Sequence, residues 1–129
     1  MEKAGQVPAK PVRWIGSAKG DLSAFPADVK WRVGSAIWRA QIGSKADYAK
    51  PLRGFGGTSV LEVVDDYDGD TYRAAYTIQF PEVVYVLHAF QKKSRRGIET
   101  PKADLDLIHD RLVRAKKDYQ EWRNSQTSR

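Results

Sequence analysis

Three runs of β-branched and aromatic residues follow one another in the middle of the chain, with short polar breaks between them. They span residues 58–64, 71–80 and 83–90. Such residues favour strands, and Asp68-Gly69, between the first two runs, is a strong hairpin signal. Pro81-Glu82 separates the second run from the third. Because short turns join antiparallel neighbours, the pattern predicts a three-stranded antiparallel meander.

Two other stretches have apolar residues at helical spacing. The first contains Val29, Val33, Ile37 and Ala40, and the second Leu105, Ile108, Leu112, Ala115, Tyr119 and Trp122. Pro26 and Pro101 suit the first turns of these helices, Thr100 suits an N-cap, and Gly43 suits a stop. Trp31 and Trp38 lie seven residues apart and so share a second face of the first helix, which either packs on another element or stays partly exposed.

The remaining segments are assigned from their glycine, proline and polar residues. We predict a short strand over 12–15, a connection with one helical turn over 17–25, a glycine-rich basic loop over 44–57, and loose tails at 1–10 and 124–129. At 129 residues the chain has the size of one domain.

Composition excludes several classes of protein. The chain has no cysteine, so disulfides and thiolate metal sites are excluded, and its two histidines, His88 and His109, are far apart. It has no apolar run near the ~18–20 residues that a membrane span needs, and no secretory signal at its start. We therefore expect a cytoplasmic protein with no metal, no cofactor and no membrane partner.

Charge is segregated along the chain. Net charge is +6, and residues 58–90 carry 1 basic against 6 acidic residues, whereas 1–57 carry 10 against 4 and 91–129 carry 11 against 6. This distribution indicates a polyanionic partner on one face. A solvated basic surface with no such role explains the charge equally well.

The third predicted strand runs directly into a cationic cluster. The cluster consists of Lys92, Lys93, Arg95 and Arg96. Alternation along the strand places Val84, Val86, His88 and Phe90 on one face, and along the second strand it places Arg73, Ala75 and Thr77 together. Arg73 is the one basic residue between 58 and 90, so its partner is either a carboxylate, Glu62 or a nearby aspartate, or a ligand phosphate.

Several short motifs, taken in order, resemble those of the RelE/ParE toxin superfamily, and most closely its phage-derived, HigB-like branch. The motifs are Lys50-Pro51-Leu52-Arg53-Gly54, Leu61-Glu62, Tyr72-Arg73-Ala74-Ala75-Tyr76, Leu87-His88-Ala89-Phe90-Gln91-Lys92-Lys93 and Thr100-Pro101. The resemblance implies an α+β fold in which helices pack on one side of a small, mostly antiparallel twisted sheet, with a helix at the C-terminus. It also implies a toxin that cuts messenger RNA on the ribosome, without a metal, and that a small helix-turn-helix antitoxin neutralises.

The resemblance assigns roles to particular residues. Arg73, His88, Lys92 and Lys93 would be the catalytic set, with the cations on the scissile phosphate and His88 as the titratable group. Tyr76 and Tyr85 are alternatives to His88, and a buried core histidine is the simpler interpretation of that residue. RNA contacts would come from Lys50, Arg53, Phe90, Arg95 and Arg96. Val63 stands where the family usually has an arginine, so one cation of the set is missing.

Three functions remain open at this point. The first is a ribosome-dependent endoribonuclease that inhibits translation. The second is a toxin of the ParE type, which shares the fold and is implied to act on DNA gyrase without cutting RNA. The third is a degenerate phage-derived module that binds only an antitoxin or nucleic acid. The missing cation favours the later two, whereas the motif from His88 to Lys93 favours the first.

Overall fold

The computed structural model describes residues 8–92 and 99–127. Along the chain its elements are β1 (Val12–Trp14), α1 (Ala18–Ser23), α2 (Ala27–Gln41), β2 (Ala49–Pro51), β3 (Val60–Tyr67), β4 (Asp70–Thr77), β5 (Val84–Lys92) and α3 (Lys102–Thr127). No helix in this part of the chain is both long enough and apolar enough to cross a bilayer.

The five strands form one sheet in the order β1-β5-β4-β3-β2. The predicted antiparallel meander is confirmed, since β3 pairs with β4 and β4 with β5. Its first turn contains Asp68 and Gly69 with φ of 51° and 89°, and positive φ at both positions is what a tight two-residue hairpin needs. β1 lies parallel to β5 at one edge, with Val12 opposite Val84.

The sheet has an edge strand, β2, that the sequence pattern did not predict. Residues 49–51 lie inside the segment predicted to be a loop, but they pair antiparallel with β3, placing Lys50 opposite Glu62. Three residues are too short to show a period. A proline in the segment argues against a central strand but is tolerated at an edge.

Helices cover both faces of the sheet, so the expectation that they pack on one side is wrong. α1 and α2 pack on the face that carries Tyr72, Ala74 and Tyr76. α3 packs on the opposite face, where Ile108 and Ala115 meet residues such as Val60, Ala75, Tyr85 and Leu87. The mixed α+β class with a C-terminal helix is confirmed.

Residues at the inner ends of both predicted tails are ordered. α3 continues to Thr127, into the segment expected to be loose from residue 124. Near the start, the Lys10 amide donates to the Gln41 carbonyl at 2.9 Å, and the Gln41 side chain donates to the Lys10 carbonyl at 2.8 Å. The chain is therefore tied to the C-terminal end of α2 from residue 10 onward.

Candidate functional site

A bulge in β5 decides which candidate residues share a face. Tyr76 lies opposite Val86, but the next pair along the ladder is Ala75 with His88, so Leu87 is an extra residue. One extra residue reverses the alternation of the side chains beyond it. His88 and Phe90 therefore lie on the face opposite to Val86, which corrects the predicted alternation.

The bulge brings the predicted residues of β4 and β5 together beneath α3. Phe90 lies directly opposite Arg73, and His88 lies opposite Ala75, one diagonal step from Arg73. The His88 and Phe90 rings stack with centroids 4.8 Å apart. Lys92, at the end of β5, pairs with Thr71 and so belongs to the same face. Lys93, Arg95 and Arg96 lie outside the described residues.

Arg73 is held by a buried polar cluster at the start of α3. Its Nη1 donates to Glu62 Oε1 and to Thr100 Oγ1, both at 3.2 Å, and the Thr100 hydroxyl donates to Glu62 Oε2 at 2.6 Å. Arg73 is only 3% exposed and Glu62 only 8%. The carboxylate partner that the sequence offered for Arg73 is therefore Glu62.

His88 is held on both sides by α3. Its Nε2 lies 2.7 Å from Asp104 Oδ1, and its Nδ1 lies 3.5 Å from Arg111 Nη1. Because a guanidinium only donates, Nδ1 is the acceptor and the proton sits on Nε2, facing Asp104. This tautomer is assigned from the hydrogen-bond partners. His88 therefore has the satisfied surroundings of a core histidine while facing the same side as Arg73.

Arg111 connects this network to the other helical layer. It donates from Nη1 to the carbonyl of the bulge residue Leu87 at 3.0 Å and from Nη2 to Ser17 Oγ at 3.2 Å. Burial lowers the pKa of the Arg111 guanidinium from its usual value, and Arg114 adds to that shift. Gly16 makes room for the Arg111 guanidinium, because a Cβ at Gly16 would lie 2.9 Å from the guanidinium carbon. The φ of Gly16, +58°, also disfavours other residues.

A cavity of about 340 Å³ opens beside the Arg73 cluster. Its lining residues are Pro51, Leu52, Arg53, Glu62, Glu99, Thr100 and Leu105. Arg53 is exposed, so the cavity wall has a solvent-exposed cation together with the carboxylates of Glu62 and Glu99. Lys50 is also exposed but does not line the cavity. The loop that carries Arg53 is fixed against α3 because Phe55 stacks on His109, with ring centroids 3.9 Å apart.

The two tyrosines considered as alternatives to His88 lie elsewhere. Tyr76 is on the opposite face, packed under α2, and burial raises its pKa to about 12. The Tyr85 hydroxyl donates to Asp118 Oδ2 at 2.6 Å, and burial together with that carboxylate raises its pKa. Asp118 belongs to the C-terminal half of α3. Neither hydroxyl therefore reaches the cavity.

The prediction that Val63 takes the place of a site cation also needs correction. Val63 is fully buried in the core beneath α2, on the face away from Arg73, so a cation there would not reach the cluster. The next residue, Val64, lies directly opposite Arg73 and is 39% exposed. A cation beside Arg73 would therefore stand at position 64 and not at position 63.

Four residues of this network were not among the predicted site residues: Glu62, Thr100, Asp104 and Arg111. Glu62 and Thr100 were visible in the sequence as a possible ion-pair partner and as a helix cap. Asp104 and Arg111 are ordinary polar positions of an amphipathic helix, and nothing in their spacing distinguishes them. No group of three or more metal-ligating side chains occurs within residues 8–92 and 99–127.

The sequence matches a family model described as "Phage derived protein Gp49-like (DUF891)" over residues 20–113, so the chain belongs to that family. A comparison with curated proteins finds no match.

Two solved structures are similar to it. A mutant of the E. coli toxin RelE in the free state has 14% sequence identity and a TM-score of 0.51, covering 83% of this chain and 97% of its own. The toxin–antitoxin complex RelBE2 from Mycobacterium tuberculosis has 20% identity and a TM-score of 0.44, covering 69% and 98%. The family model confirms that the chain belongs to a phage-derived family, and the similarity to E. coli RelE confirms the predicted fold.

Proposed function

We propose that this Gp49-like protein is the toxin of a toxin–antitoxin pair and that it cleaves messenger RNA on the ribosome. The observation that carries the proposal is a cavity lined by Glu62, Thr100 and the exposed Arg53, with the buried Arg73 hydrogen-bonded to Glu62 and Thr100. A buried arginine beside a carboxylate supplies a cation for a phosphate and a base for a proton. The RelE-like fold supports the same conclusion.

In the proposed reaction Glu62 acts as the base and Arg73 stabilises the phosphate. Glu62 accepts the proton of a 2′-hydroxyl, whose oxygen forms a bond to the adjacent phosphorus while the bond to the 5′-oxygen breaks. The products are a 2′,3′-cyclic phosphate and a 5′-hydroxyl. Arg73 balances the charge that builds on the phosphate, and such electrostatic stabilisation usually contributes most to the rate. The base contributes a further ~100–10,000-fold.

His88 is proposed to donate a hydrogen bond from Nε2 to the leaving 5′-oxygen, which takes its proton from water while Glu62 gives its own proton to the hydroxide that forms. The Nε2 proton faces Asp104 in this structure, so the hydrogen bond to Asp104 must be exchanged for one to the substrate. Thr100 stands just before α3 and Asp104 lies in its first turn, so a shift of that turn frees Glu62, Arg73 and His88 together. Lys50, Arg53, Lys92 and Phe90, with the predicted contacts Lys93, Arg95 and Arg96, are proposed to hold the RNA backbone and bases.

A second candidate rests on the same hydrogen bonds. Arg73 already has a carboxylate partner, and His88 is bonded on both ring nitrogens. Such internal pairing favours a toxin that arrests growth by binding a protein, such as gyrase, without cutting RNA. In either case we propose an antitoxin as partner.

The test is inducible expression with mapping of messenger RNA 5′ ends. We expect growth arrest with new ends at ribosome-bound codons, and a loss of about 100-fold or more in cleavage for Glu62→Gln. Arg53→Ala changes an exposed residue of the cavity wall and should weaken cleavage without affecting folding. Lys116→Ala is the matched control, because Lys116 is an exposed cation on α3 away from the cavity.

The outcomes separate the candidates. Arrest with no new RNA ends would overturn the nuclease proposal, and DNA breaks under the same conditions would support the gyrase candidate. Arrest that persists in Glu62→Gln, with the same RNA ends, would show that Glu62 is not the base.

A further inference from the structure

Arg111, on the side of α3 that meets the sheet, is a buried cation without a direct counter-charge. It is only 8% exposed, and no ion pair within residues 8–92 and 99–127 includes it. The carboxylate of Asp21 lies one hydrogen bond further away, on the other side of Ser17 Oγ. The Arg111 Nε–H group has no hydrogen-bond partner among the same residues. Burying a charge in this way costs stability, and an apolar side chain would avoid the cost, so the fold alone does not explain this arginine.

Three contacts fix the position of the Arg111 guanidinium. Nη2 donates to Ser17 Oγ at 3.2 Å, and Nη1 donates to the Leu87 carbonyl at 3.0 Å. On a third side lies Gly16, where a Cβ would stand 2.9–3.0 Å from three guanidinium atoms. Nη1 also faces His88 Nδ1 at 3.5 Å, which is long for a hydrogen bond. Because the planar guanidinium is anchored by other groups, it faces the ring whichever protons the ring carries.

The two neighbours of His88 act on its protonation in opposite directions. Asp104 Oδ1, 2.7 Å from Nε2, accepts from a protonated nitrogen and attracts a positively charged ring. Arg111 can only donate, so a second proton on Nδ1 would set two N–H groups and two positive charges against each other. Glu62 and Arg73 face the same side of the sheet from β3 and β4, and they are bonded to each other. Arg111 is therefore the group that opposes the second proton.

We propose that Arg111 is the positioning residue of His88 and keeps its ring neutral, with the one proton on Nε2. This inference deepens the proposed function and rests on it, because there Nε2 must exchange Asp104 for the leaving oxygen. A doubly protonated ring would form an ion pair with Asp104 and hold that carboxylate more tightly than a neutral ring does. The neutral ring can release Asp104 and donate to the substrate. The turn at Gly16 and Ser17 thereby acts on the reaction through Arg111.

The test observes the ring nitrogens of His88 by heteronuclear NMR on the full chain, without RNA and near neutral pH. The His109→Gln variant identifies which signals belong to His88, because the chain has two histidines. The native ring should be protonated on Nε2 only. Arg111→Met removes the donor and keeps an apolar side chain, so Nδ1 should become protonated. Arg111→Lys keeps a cationic donor and should keep the native pattern.

Arg114→Met is the matched control. Arg114 is an exposed cation one turn further along α3 that acts on Arg111 through its charge. The ring nitrogens of His88 are bonded to Asp104 and Arg111, so this control should leave the His88 signals unchanged. A native ring that carries a proton on Nδ1 would overturn the proposal without any variant. An Arg111→Met ring that stays unprotonated on Nδ1 would also overturn it, and so would an equal change in Arg114→Met.

Cleavage on ribosomes programmed with a short messenger RNA tests the consequence for the reaction. Arg111→Met should cleave about 100-fold more slowly than the native chain, the loss expected when one hydrogen-bond donor to developing charge is removed. Arg111→Lys should recover most of that rate. Equal rates for the native chain and Arg111→Met would overturn the role of Arg111. A native chain that does not cleave would contradict the proposed function instead, and the NMR comparison would then decide whether Arg111 sets the state of the ring.

Discussion

The two faces of the sheet are packed with different chemistry. Under α2 the buried residues are apolar, with valines, alanines and the rings of Tyr72 and Tyr76. Under α3 the core is interrupted by buried or nearly buried polar side chains, among them Arg73, Glu62 and His88. Burying polar groups costs free energy unless each is paired, and apolar side chains of similar size would often serve stability better. The face beneath α3 therefore holds groups that the fold alone does not require.

The largest expected effect comes from breaking the ion pair on the α3 face. Arg73→Met leaves the Glu62 carboxylate buried without its guanidinium, which should lower the free energy of unfolding by about 3–5 kcal/mol. The double variant Arg73→Met with Glu62→Leu replaces the pair with apolar side chains and should recover most of that loss. Urea denaturation measures both.

An exposed ion pair on the same helix provides the control. Lys102 and Asp106 lie 3.0 Å apart with side chains 88% and 61% exposed, so Lys102→Met should cost less than about 0.5 kcal/mol. If Arg73→Met cost as little as this change, the buried cluster would not be an ion pair held against its desolvation cost.

A smaller effect is expected at the second polar pair, His88 with Asp104. Asp104→Ala removes a charged acceptor from a nearly buried ring and should cost about 1.5–3 kcal/mol. Asp104→Asn keeps a carbonyl oxygen facing the Nε2 proton and should cost about 1 kcal/mol. The urea midpoints of the two variants therefore separate the contribution of the acceptor oxygen from that of its negative charge. Equal losses in both would mean that the charge of Asp104, and not its oxygen alone, holds the His88 ring.

The sequence predicts the apolar face well and the polar face poorly. Val29, Val33 and Ile37 are buried where helical spacing placed them, because the burial of one side of a helix follows directly from its period. The residues of β4 also alternate as predicted. Glu62 was recognisable as a partner for Arg73, because a lone arginine in an acidic segment requires an anion.

The position of His88 could not be read from the sequence. It depends on one extra residue, Leu87, whose insertion in β5 has no compositional signal. The hydrogen bonds that Thr100, Asp104 and Arg111 make to the sheet could not be predicted either. They depend on how α3, which is distant in sequence from most of the sheet, crosses it. Positions fixed by local period were predictable, and positions fixed by register and helix placement were not.

The smallest effect, and the opposite sign, is expected on the α2 face. Tyr76 is fully buried, and its hydroxyl has no hydrogen-bond partner among the described residues. Tyr76→Phe removes a polar group that gains nothing from burial, so it should leave stability unchanged or raise it by up to about 1 kcal/mol. The control is Tyr85→Phe on the other face, which should cost about 1.5–3 kcal/mol because that hydroxyl donates to Asp118.

The pH dependence of unfolding also distinguishes the two faces of the sheet. Burial raises the pKa of Tyr76 from 10.0 to about 12. As pH rises above 10, Tyr76 therefore ionises in the unfolded chain while it stays neutral in the folded state. The stability that its burial as a neutral phenol contributes is complete below pH 10 and is lost as pH rises toward 12. Tyr76→Phe should reduce the alkaline loss of stability measured by urea denaturation between those pH values. An identical alkaline slope in the variant and the native chain would mean that the hydroxyl ionises as readily in the folded state as in the unfolded chain, and that this part of the α2 face is open to water.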